Sequence, residues 1–361
     1  MRLATILLSL LLLGPVLPAR VVPAQASAPA VARLDDGPYV IWDGPVAKVL
    51  RVRDGKAEVQ PLPRNGRLEL DGLPALALSP KPFRPAPCRL PLPDRIAAVS
   101  DIHGNFTDLV ILLQRHHIID PRQRWSFGRG QLVVAGDVFD RGAGVTESLW
   151  LLRSLEEQAA SAGGRVHVLL GNHEAMALNG DLRYLNPKYA AVAGLLGQGI
   201  PALYGPDSDT GRWLRSRNVM LLLGDILFAH GGPSPALAAG PIDLEALNVR
   251  FRQALDAGGK PELLGSDGPV WYRGLIPGAS RTGDTSDAEL GTILKACQAR
   301  LLVVGHSTLD QITAFHDGRV FGIDAGLQHP GHGELWLWEK GRIYRGLLDG
   351  RRLPLPRSLS M

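Results

Sequence analysis

Residues 95–105 read RIAAVSDIHGN, and residues 106–117, FTDLVILLQRHH, follow directly. The first stretch is a hydrophobic strand that ends in two polar residues, Asp101 and His103. The second carries leucines at the spacing of one buried helix face. This strand–turn–helix pattern predicts an α/β fold, in which rigid strands deliver polar side chains to loops at one edge of a sheet.

Four later motifs share this design. They are GDVFDRG (residues 136–142), GNHE (171–174), HGG (230–232) and GHS (305–307), and most follow a hydrophobic run that ends at a turn. Each contains an Asp, Asn or His, the residue types that ligate divalent cations. Independent loops rarely supply complementary ligands by chance, so the set predicts a single site. The six predicted metal ligands are Asp101, His103, Asp137, Asn172, His230 and His306.

These ligand types indicate a pair of divalent cations. Two cations less than ~4 Å apart activate a water and neutralise charge on a phosphoryl group, and they require a bridging carboxylate. Asp137 is the natural bridge. We expect Asp101 and His103 to complete the first ion's site, and the three later motifs to complete the second. Mixed nitrogen and oxygen ligands suit manganese, iron or zinc better than calcium, and we favour manganese.

Non-ligating residues complete the predicted chemistry. His173 is placed to protonate the leaving oxygen, and Asp140 to orient and charge that imidazole. Arg141 offers a planar fork for phosphate oxygens. A second arginine, Arg273, lies in the Gly-flanked aromatic run GPVWYRG (residues 268–274) between metal motifs, and we expect it to act likewise.

The motif set resembles the phosphoprotein phosphatase superfamily, whose pattern is GDxHG, GDxxDRG, GNHE, HGG and a late histidine. The GHS and GPVWYRG runs and the secretory leader described below are most similar to the bacterial Shewanella-like protein phosphatases. This resemblance implies an α/β (α+β) metallophosphoesterase, with two mixed β-sheets packed as a sandwich flanked by helices. Two positions depart from the pattern. Ser100 replaces the usual glycine, and Thr308 stands where wider calcineurin-like phosphoesterases have a second histidine.

The first 26 residues predict a secretory signal peptide. An apolar run, residues 3–13, is followed by Gly14-Pro15, and Ala24-Gln25-Ala26 has the small-x-small cleavage pattern. The alternative is an uncleaved anchor, but the run is shorter than the roughly 20 residues of a spanning helix. The sequence therefore predicts a secreted or periplasmic protein.

The mature chain divides into three predicted parts. Residues 35–80 have the alternation of a small all-β module, with a hairpin around Asp54-Gly55. Residues 81–94 form a Pro-rich linker, and residues 95–350 form the metallophosphoesterase domain. Within the domain, the segment between Glu174 and Val219 carries three tyrosines, and we expect this insert to roof the site and contact the leaving group.

The composition is that of an ordinary soluble globular protein. The 361 residues are 45% hydrophobic and 20% charged, and the net charge is +4. So small an excess does not indicate nucleic acid. We expect no nucleic-acid partner and no membrane association beyond export. The two cysteines, Cys88 and Cys297, have two open alternatives, a disulfide or two buried thiols.

Three functions fit these motifs. The first is a dinuclear-metal phosphatase that hydrolyses phosphomonoesters of proteins, on tyrosine, serine or threonine, by attack of a metal-activated hydroxide. The second is a symmetrical dinucleoside-polyphosphate hydrolase or other small-molecule phosphoesterase, against which the signal peptide argues because those substrates are cytosolic. The third is a non-catalytic phosphopeptide-binding module, against which the complete ligand set argues.

Overall fold

The computed structural model describes residues 34–257, 262–281 and 283–355. The predicted signal peptide, residues 1–26, lies outside these ranges. Across the ranges, every helix is too short or too polar to span a bilayer.

Strands and helices alternate between residues 95 and 178, and runs of consecutive strands or helices make up the rest of the described chain. The strands are β1 (Asp36–Asp43), β2 (Val46–Arg53), β3 (Lys56–Pro61), β4 (Arg67–Leu70), β5 (Leu73–Ala77), β6 (Arg89–Leu90), β7 (Arg95–Val99), β8 (Gln131–Val134), β9 (Arg165–Val168), β10 (Met220–Leu223), β11 (Ile226–Ala229), β12 (Leu301–Val304), β13 (Thr313–Phe315), β14 (Val320–Gly322), β15 (Glu334–Glu339), β16 (Arg342–Leu347) and β17 (Arg352–Pro354). The helices are α1 (Phe106–Arg115), α2 (Val145–Ser161), α3 (Asn172–Leu178), α4 (Pro187–Leu195), α5 (Ile200–Leu203), α6 (Asp209–Arg215), α7 (Leu244–Asp256) and α8 (Asp287–Cys297).

Two six-stranded mixed sheets form the body of the fold. One has the order β17-β16-β15-β7-β8-β9, and the other has the order β13-β14-β12-β11-β10-β6. In the first, β7, β8 and β9 are parallel. In the second, β11, β12 and β14 are parallel. This confirms the predicted pair of mixed sheets flanked by helices.

Alternating side chains explain why the sheets pack face to face. In β12, Leu301 and Val303 belong to a core cluster that contains residues of both sheets, whereas Leu302 and Val304 pack on the outer side with helical residues. Trp336 lies in the inner cluster with its ring stacked on that of Trp338, centroids 6.4 Å apart. A strand that is buried on both faces must be almost wholly apolar, as β12 is.

Parallel strands bring the motifs together. Asp101 follows β7, Asp137 follows β8, and Asn172 begins the helix after β9. In the other sheet, His230 follows β11 and His306 comes two residues after β12. Because the carboxyl ends of parallel strands meet at one edge of each sheet, predicted ligands that are far apart in sequence come close in space.

The N-terminal β module is confirmed as antiparallel. Strands β1 to β3 form one sheet, and β4 and β5 form a hairpin. The module packs on the large domain through two indole hydrogen bonds. Trp150 Nε1 of α2 donates to Pro38 O over 2.9 Å, and Trp42 Nε1 donates to Asp209 Oδ1 of α6 over 3.2 Å.

Two details of the structure bear on the sequence prediction: one differs from the predicted linker, and the other decides between the alternatives for the cysteines. Within the predicted linker, Arg89–Leu90 adds a short edge strand, β6, parallel to β10. Flanking prolines hide so short a strand, because they break the alternation that would reveal it. Both cysteines are buried free thiols, and Cys88 Sγ donates to Glu245 Oε2 over 3.2 Å.

Candidate metal centre

The carboxylate of Asp137 lies at the centre of the strand-end cluster. Its Oδ2 is 3.1 Å from His230 Nε2, 3.7 Å from His103 Nε2 and 3.8 Å from His173 Nε2. All four residues are buried. A carboxylate that faces imidazole nitrogens on several sides has the surroundings required of a ligand shared by two cations.

Backbone carbonyls fix the orientation of three imidazoles. His103 Nδ1 donates to Phe139 O over 2.7 Å, and His230 Nδ1 donates to Ala135 O over 2.8 Å. His306 donates from its other nitrogen, Nε2, to the backbone oxygen of Trp271 over 3.1 Å. Such bonds select the tautomer of a metal-ligating histidine. They leave the second nitrogen of each ring as the potential ligand atom, so the donor set fits a metal ion.

The electric field of the cluster favours positive charge. Burial alone would lower the pKa of His230, but the carboxylates of Asp137 and Asp101 raise it to about 10. Burial would raise the pKa of the Asp137 carboxyl, but the facing imidazoles hold it well below its usual range. At His103 burial prevails and lowers the pKa to about 4. The cluster therefore stabilises a cation beside Asp137, where metal binding would release a proton from His230.

Asp101 and Asn172 close the set of predicted ligands. Asp101 Oδ1 lies 3.9 Å from His103 Nε2, and its Oδ2 accepts a hydrogen bond from the His306 backbone N–H over 2.9 Å. Asn172 Oδ1 lies 2.9 Å from His230 Nε2. The six side chains thus form one contiguous cluster, although their role as ligands remains a prediction.

Two groups of three side chains within the described ranges have the spacing of a metal site. Each group offers ligand atoms within 4.8 Å of one another, and all members are buried. The groups are His103–Asp137–His173 and Asp137–His230–His306. They share Asp137, as a bridging role requires. The first group contains His173, which the sequence assigns to proton transfer instead.

His173 is paired with a carboxylate. Its Nδ1 donates to Asp140 Oδ2 over 2.6 Å, and its ring packs edge to face on His103 with centroids 4.6 Å apart. The Asp140 contact fixes the ring orientation and places a proton on Nδ1, which leaves Nε2 as the atom available for chemistry. Such a contact suits both a general acid and a metal ligand, so the role of His173 in proton transfer remains a prediction.

The two predicted phosphate-binding arginines have different surroundings. Arg141 is exposed and adjoins Asp140 in the chain. Arg273 is partly buried, and its Nη1 donates to the backbone oxygen of His306. Burial lowers the pKa of Arg273, against the attraction of Asp101 and other carboxylates of the site. The structure thus places Arg273 directly against a predicted ligand.

Glu174 has a positioning role that the sequence reasoning did not assign. Its carboxylate accepts hydrogen bonds from the backbone N–H groups of Asp137, Val138 and Gly171 over 2.8, 2.7 and 2.7 Å. It therefore ties the second motif to the third. The sequence did contain a signal for this role, because Glu174 is the last residue of the GNHE motif.

Asp324 is a second residue that was not assigned. It is buried, its Oδ2 accepts from Thr308 Oγ1 over 2.7 Å, and its Oδ1 accepts from Gly326 N over 3.1 Å. Burial, followed by the charge of Asp324, raises the pKa of Asp101. Only its place in the run GIDAGL (residues 322–327), which begins at the end of strand β14, indicated that it lines the site.

The backbone of the site is strained. Left-handed φ angles are uncommon outside glycine and concentrate at functional sites. Six predicted site residues have them, namely Asp101, His103, Asp137, Asp140, Arg141 and His306. The glycines of the motifs permit close approach. A Cβ on Gly171 would lie 2.1 Å from Asp137 Oδ1, so any side chain there would displace the central carboxylate.

The insert between α3 and β10 holds the loop that carries Arg141. Arg141 donates its backbone N–H to Tyr184 O over 3.0 Å. Its carbonyl accepts from Asn186 Nδ2 over 2.7 Å, and Ala143 O accepts from Tyr189 OH over 2.8 Å. The arginine loop therefore takes its position from the insert.

A buried ion pair connects the β module to the same loop. Lys188 Nζ lies 2.8 Å from Asp36 Oδ1 and donates to Ala143 O over 2.7 Å. The side chain of Asp36 is 0% exposed and that of Lys188 is 15% exposed. Thr146 Oγ1 also donates to Asp36, over 3.2 Å. Strand β1 thus contributes a charge that fixes the insert and the arginine loop.

We expect Asp36→Asn to lower the free energy of unfolding by about 3 kcal/mol, because Lys188 then loses its buried counter-charge and keeps only the more exposed Glu147. Urea denaturation measures the change. Glu147→Gln is the control, because Glu147 is also paired with Lys188, over 3.3 Å, but its side chain is 43% exposed. Its loss should stay below about 1 kcal/mol. Equal losses in the two variants would contradict a special role for Asp36.

Comparisons with known proteins agree with this geometry. Residues 94–308 match the calcineurin-like phosphoesterase family. A solved structure, the cold-active protein-tyrosine phosphatase of a psychrophilic Shewanella species, superimposes with a TM-score of 0.83 and 35% identity, and the match covers 89% of this chain and 99% of that one. Shewanella-like protein phosphatase 1 of Plasmodium berghei is 28% identical over 64% of this chain and 67% of its own length. Shewanella-like protein phosphatase 2 of Arabidopsis thaliana is 26% identical over 66% of this chain and 73% of its own length.

Proposed function

The chain belongs to the calcineurin-like phosphoesterase family, and from this premise we propose that it is a dinuclear-metal protein phosphatase that acts on phosphotyrosine. One observation carries the proposal. A buried carboxylate, Asp137, is shared by two groups of potential metal ligands, and an imidazole paired with a carboxylate adjoins it. The tyrosine preference is supported by the similar Shewanella enzyme, which is a protein-tyrosine phosphatase.

The proposed metal ligands are the six residues of the cluster, with Asp137 shared. When bound, two divalent cations would supply an activated water nucleophile and neutralise charge on the phosphoryl oxygens. Manganese is our proposed occupant, since the cluster mixes imidazole nitrogens with carboxylate and amide oxygens.

The other residues bind and protonate the substrate. Arg141 and Arg273 would hold phosphate oxygens through charge-assisted hydrogen bonds. His173 would donate the proton on Nε2 to the leaving oxygen as the phosphorus–oxygen bond breaks. Asp140 holds that imidazole in orientation through Nδ1.

A substrate panel tests the proposal. Purified chain lacking residues 1–26 should be loaded with manganese and assayed with phosphotyrosine and phosphoserine peptides of one sequence and with a diadenosine polyphosphate. We expect the phosphotyrosine peptide to have the highest kcat/KM. Faster turnover of the dinucleotide would favour the small-molecule phosphoesterase, and binding of phosphopeptide without any hydrolysis would favour the non-catalytic module.

We also propose that the protein is exported, on the support of the N-terminal sequence alone. The mass of the protein from an expressing bacterial host tests this. Export predicts a periplasmic or secreted species that begins after Ala26. A full-length chain confined to the cytosol would overturn the proposal.

A further inference from the structure

One tyrosine of the insert faces the predicted acid from the surface. Tyr184 is 47% exposed, whereas Tyr189 and Tyr204 are buried. Tyr189 uses its hydroxyl on the arginine loop, and the ring of Tyr204 packs edge to face on Phe139, centroids 4.9 Å apart. Tyr184 is therefore the member of the three that is open to a substrate.

The ring of Tyr184 lies beside the imidazole of the predicted acid. Its centroid is 5.2 Å from that of His173, and the two planes are tilted by 50°. Because Asp140 occupies His173 Nδ1 over 2.6 Å, the leaving oxygen must approach Nε2. A substituent on that oxygen would then come near the ring of Tyr184, which adjoins the same imidazole. Aromatic pairs interact at centroid separations of about 4.5–7 Å.

The position of Tyr184 is tied to the phosphate-binding side of the site. Its carbonyl accepts the N–H of Arg141 over 3.0 Å, and Asn186 Nδ2, two residues on, donates to Arg141 O over 2.7 Å. The backbone segments that carry the aromatic ring and the predicted phosphate fork therefore belong to one hydrogen-bonded unit. That unit keeps the two side chains on neighbouring stretches of the same site.

We propose that Tyr184 is the residue that selects aryl phosphoesters, by packing against the aromatic ring of the leaving group. This proposal rests on the proposed phosphatase function and extends it to a specificity residue. A phosphotyrosine side chain has a ring at the required place, because its phosphate oxygen is bonded directly to the ring. A phosphoserine side chain has only a methylene group there and gains no such contact.

The selectivity of Tyr184→Ala can be measured with two peptides of the same sequence, one with phosphotyrosine and the other with phosphoserine. We expect kcat/KM for phosphotyrosine to fall about tenfold, mainly through KM, with phosphoserine turnover within about twofold of wild type. Tyr184→Phe keeps the ring and should keep the selectivity. Leu195→Ala, at another exposed apolar residue of the insert (42% exposed), is the matched control and should change neither rate.

Competitive inhibition gives a second measure that does not require phosphoserine turnover. In the Tyr184→Ala variant, the Ki of phenylphosphonate should rise about tenfold, and the Ki of methylphosphonate should be nearly unchanged. Equal losses for both inhibitors, or no loss for either, would overturn the role of Tyr184 while leaving the phosphatase function intact. A wild-type chain that hydrolyses neither peptide would overturn the proposed function and this inference together.

Discussion

Asp137→Asn is expected to lower kcat/KM at least about a thousandfold, with little change in the fold. The substitution keeps the shape of the side chain but removes the charge shared between the two groups of ligands. Asp137 Oδ2 lies 3.1 Å from His230 Nε2 and 3.7 Å from His103 Nε2, so both halves of the cluster lose the same carboxylate. Stabilisation by bound metal contributes several kcal/mol, and about 1.4 kcal/mol corresponds to tenfold in rate.

The measurement combines activity on an aryl phosphate with metal content and circular dichroism. Asp310→Asn is a suitable control, because it makes the same chemical change at an exposed carboxylate a few residues beyond the GHS motif. The control should retain full activity and metal. Full activity of Asp137→Asn would refute the shared carboxylate.

His173→Ala is expected to have the second largest effect, and the effect should depend on the leaving group. Loss of a general acid costs about 10²–10⁴-fold in rate. A phenol has a pKa near 10 and leaves with little help, whereas an alkoxide requires the proton. We therefore expect about a thousandfold loss with alkyl phosphates and about tenfold or less with aryl phosphates.

Metal content separates the two roles that the geometry allows for His173. If this residue is the acid, His173→Ala should retain the metal of the wild type. Asp140→Asn should then lose less activity than His173→Ala, and again more with alkyl than with aryl phosphates. The 2.6 Å contact to Nδ1 is weakened in this variant while the imidazole remains. Equal losses with both substrate classes, together with loss of metal, would instead assign His173 to the ligands.

The fold and the convergence of the motifs could be predicted from sequence because both depend on local patterns. The run before Asp101 is apolar on both faces of a strand, as is the run before His306, and both ends are marked by turns. Parallel pairing then brings the ends of β7, β8 and β9 to one edge of the first sheet and the ends of β11 and β12 to one edge of the second. The prediction of the ligands follows from residue type.

Other features could not be predicted because they depend on tertiary contacts. Asp36 and Lys188 lie far apart in sequence and in different predicted parts of the chain, and no local pattern relates them. Asp324 belongs to no motif, and its influence on Asp101 arises from proximity. Tyr184 differs from the other two tyrosines of the insert in being exposed. The sequence of the insert does not alternate, so the exposure of its side chains is decided by packing alone.

The most direct test is the anomalous scattering of crystals of the mature chain grown with manganese. The ligand geometry predicts two manganese peaks about 4 Å apart on either side of the Asp137 carboxylate. One should lie beside His103 and the other beside His230 and His306. A single peak, or two peaks that do not share Asp137, would contradict the dinuclear centre.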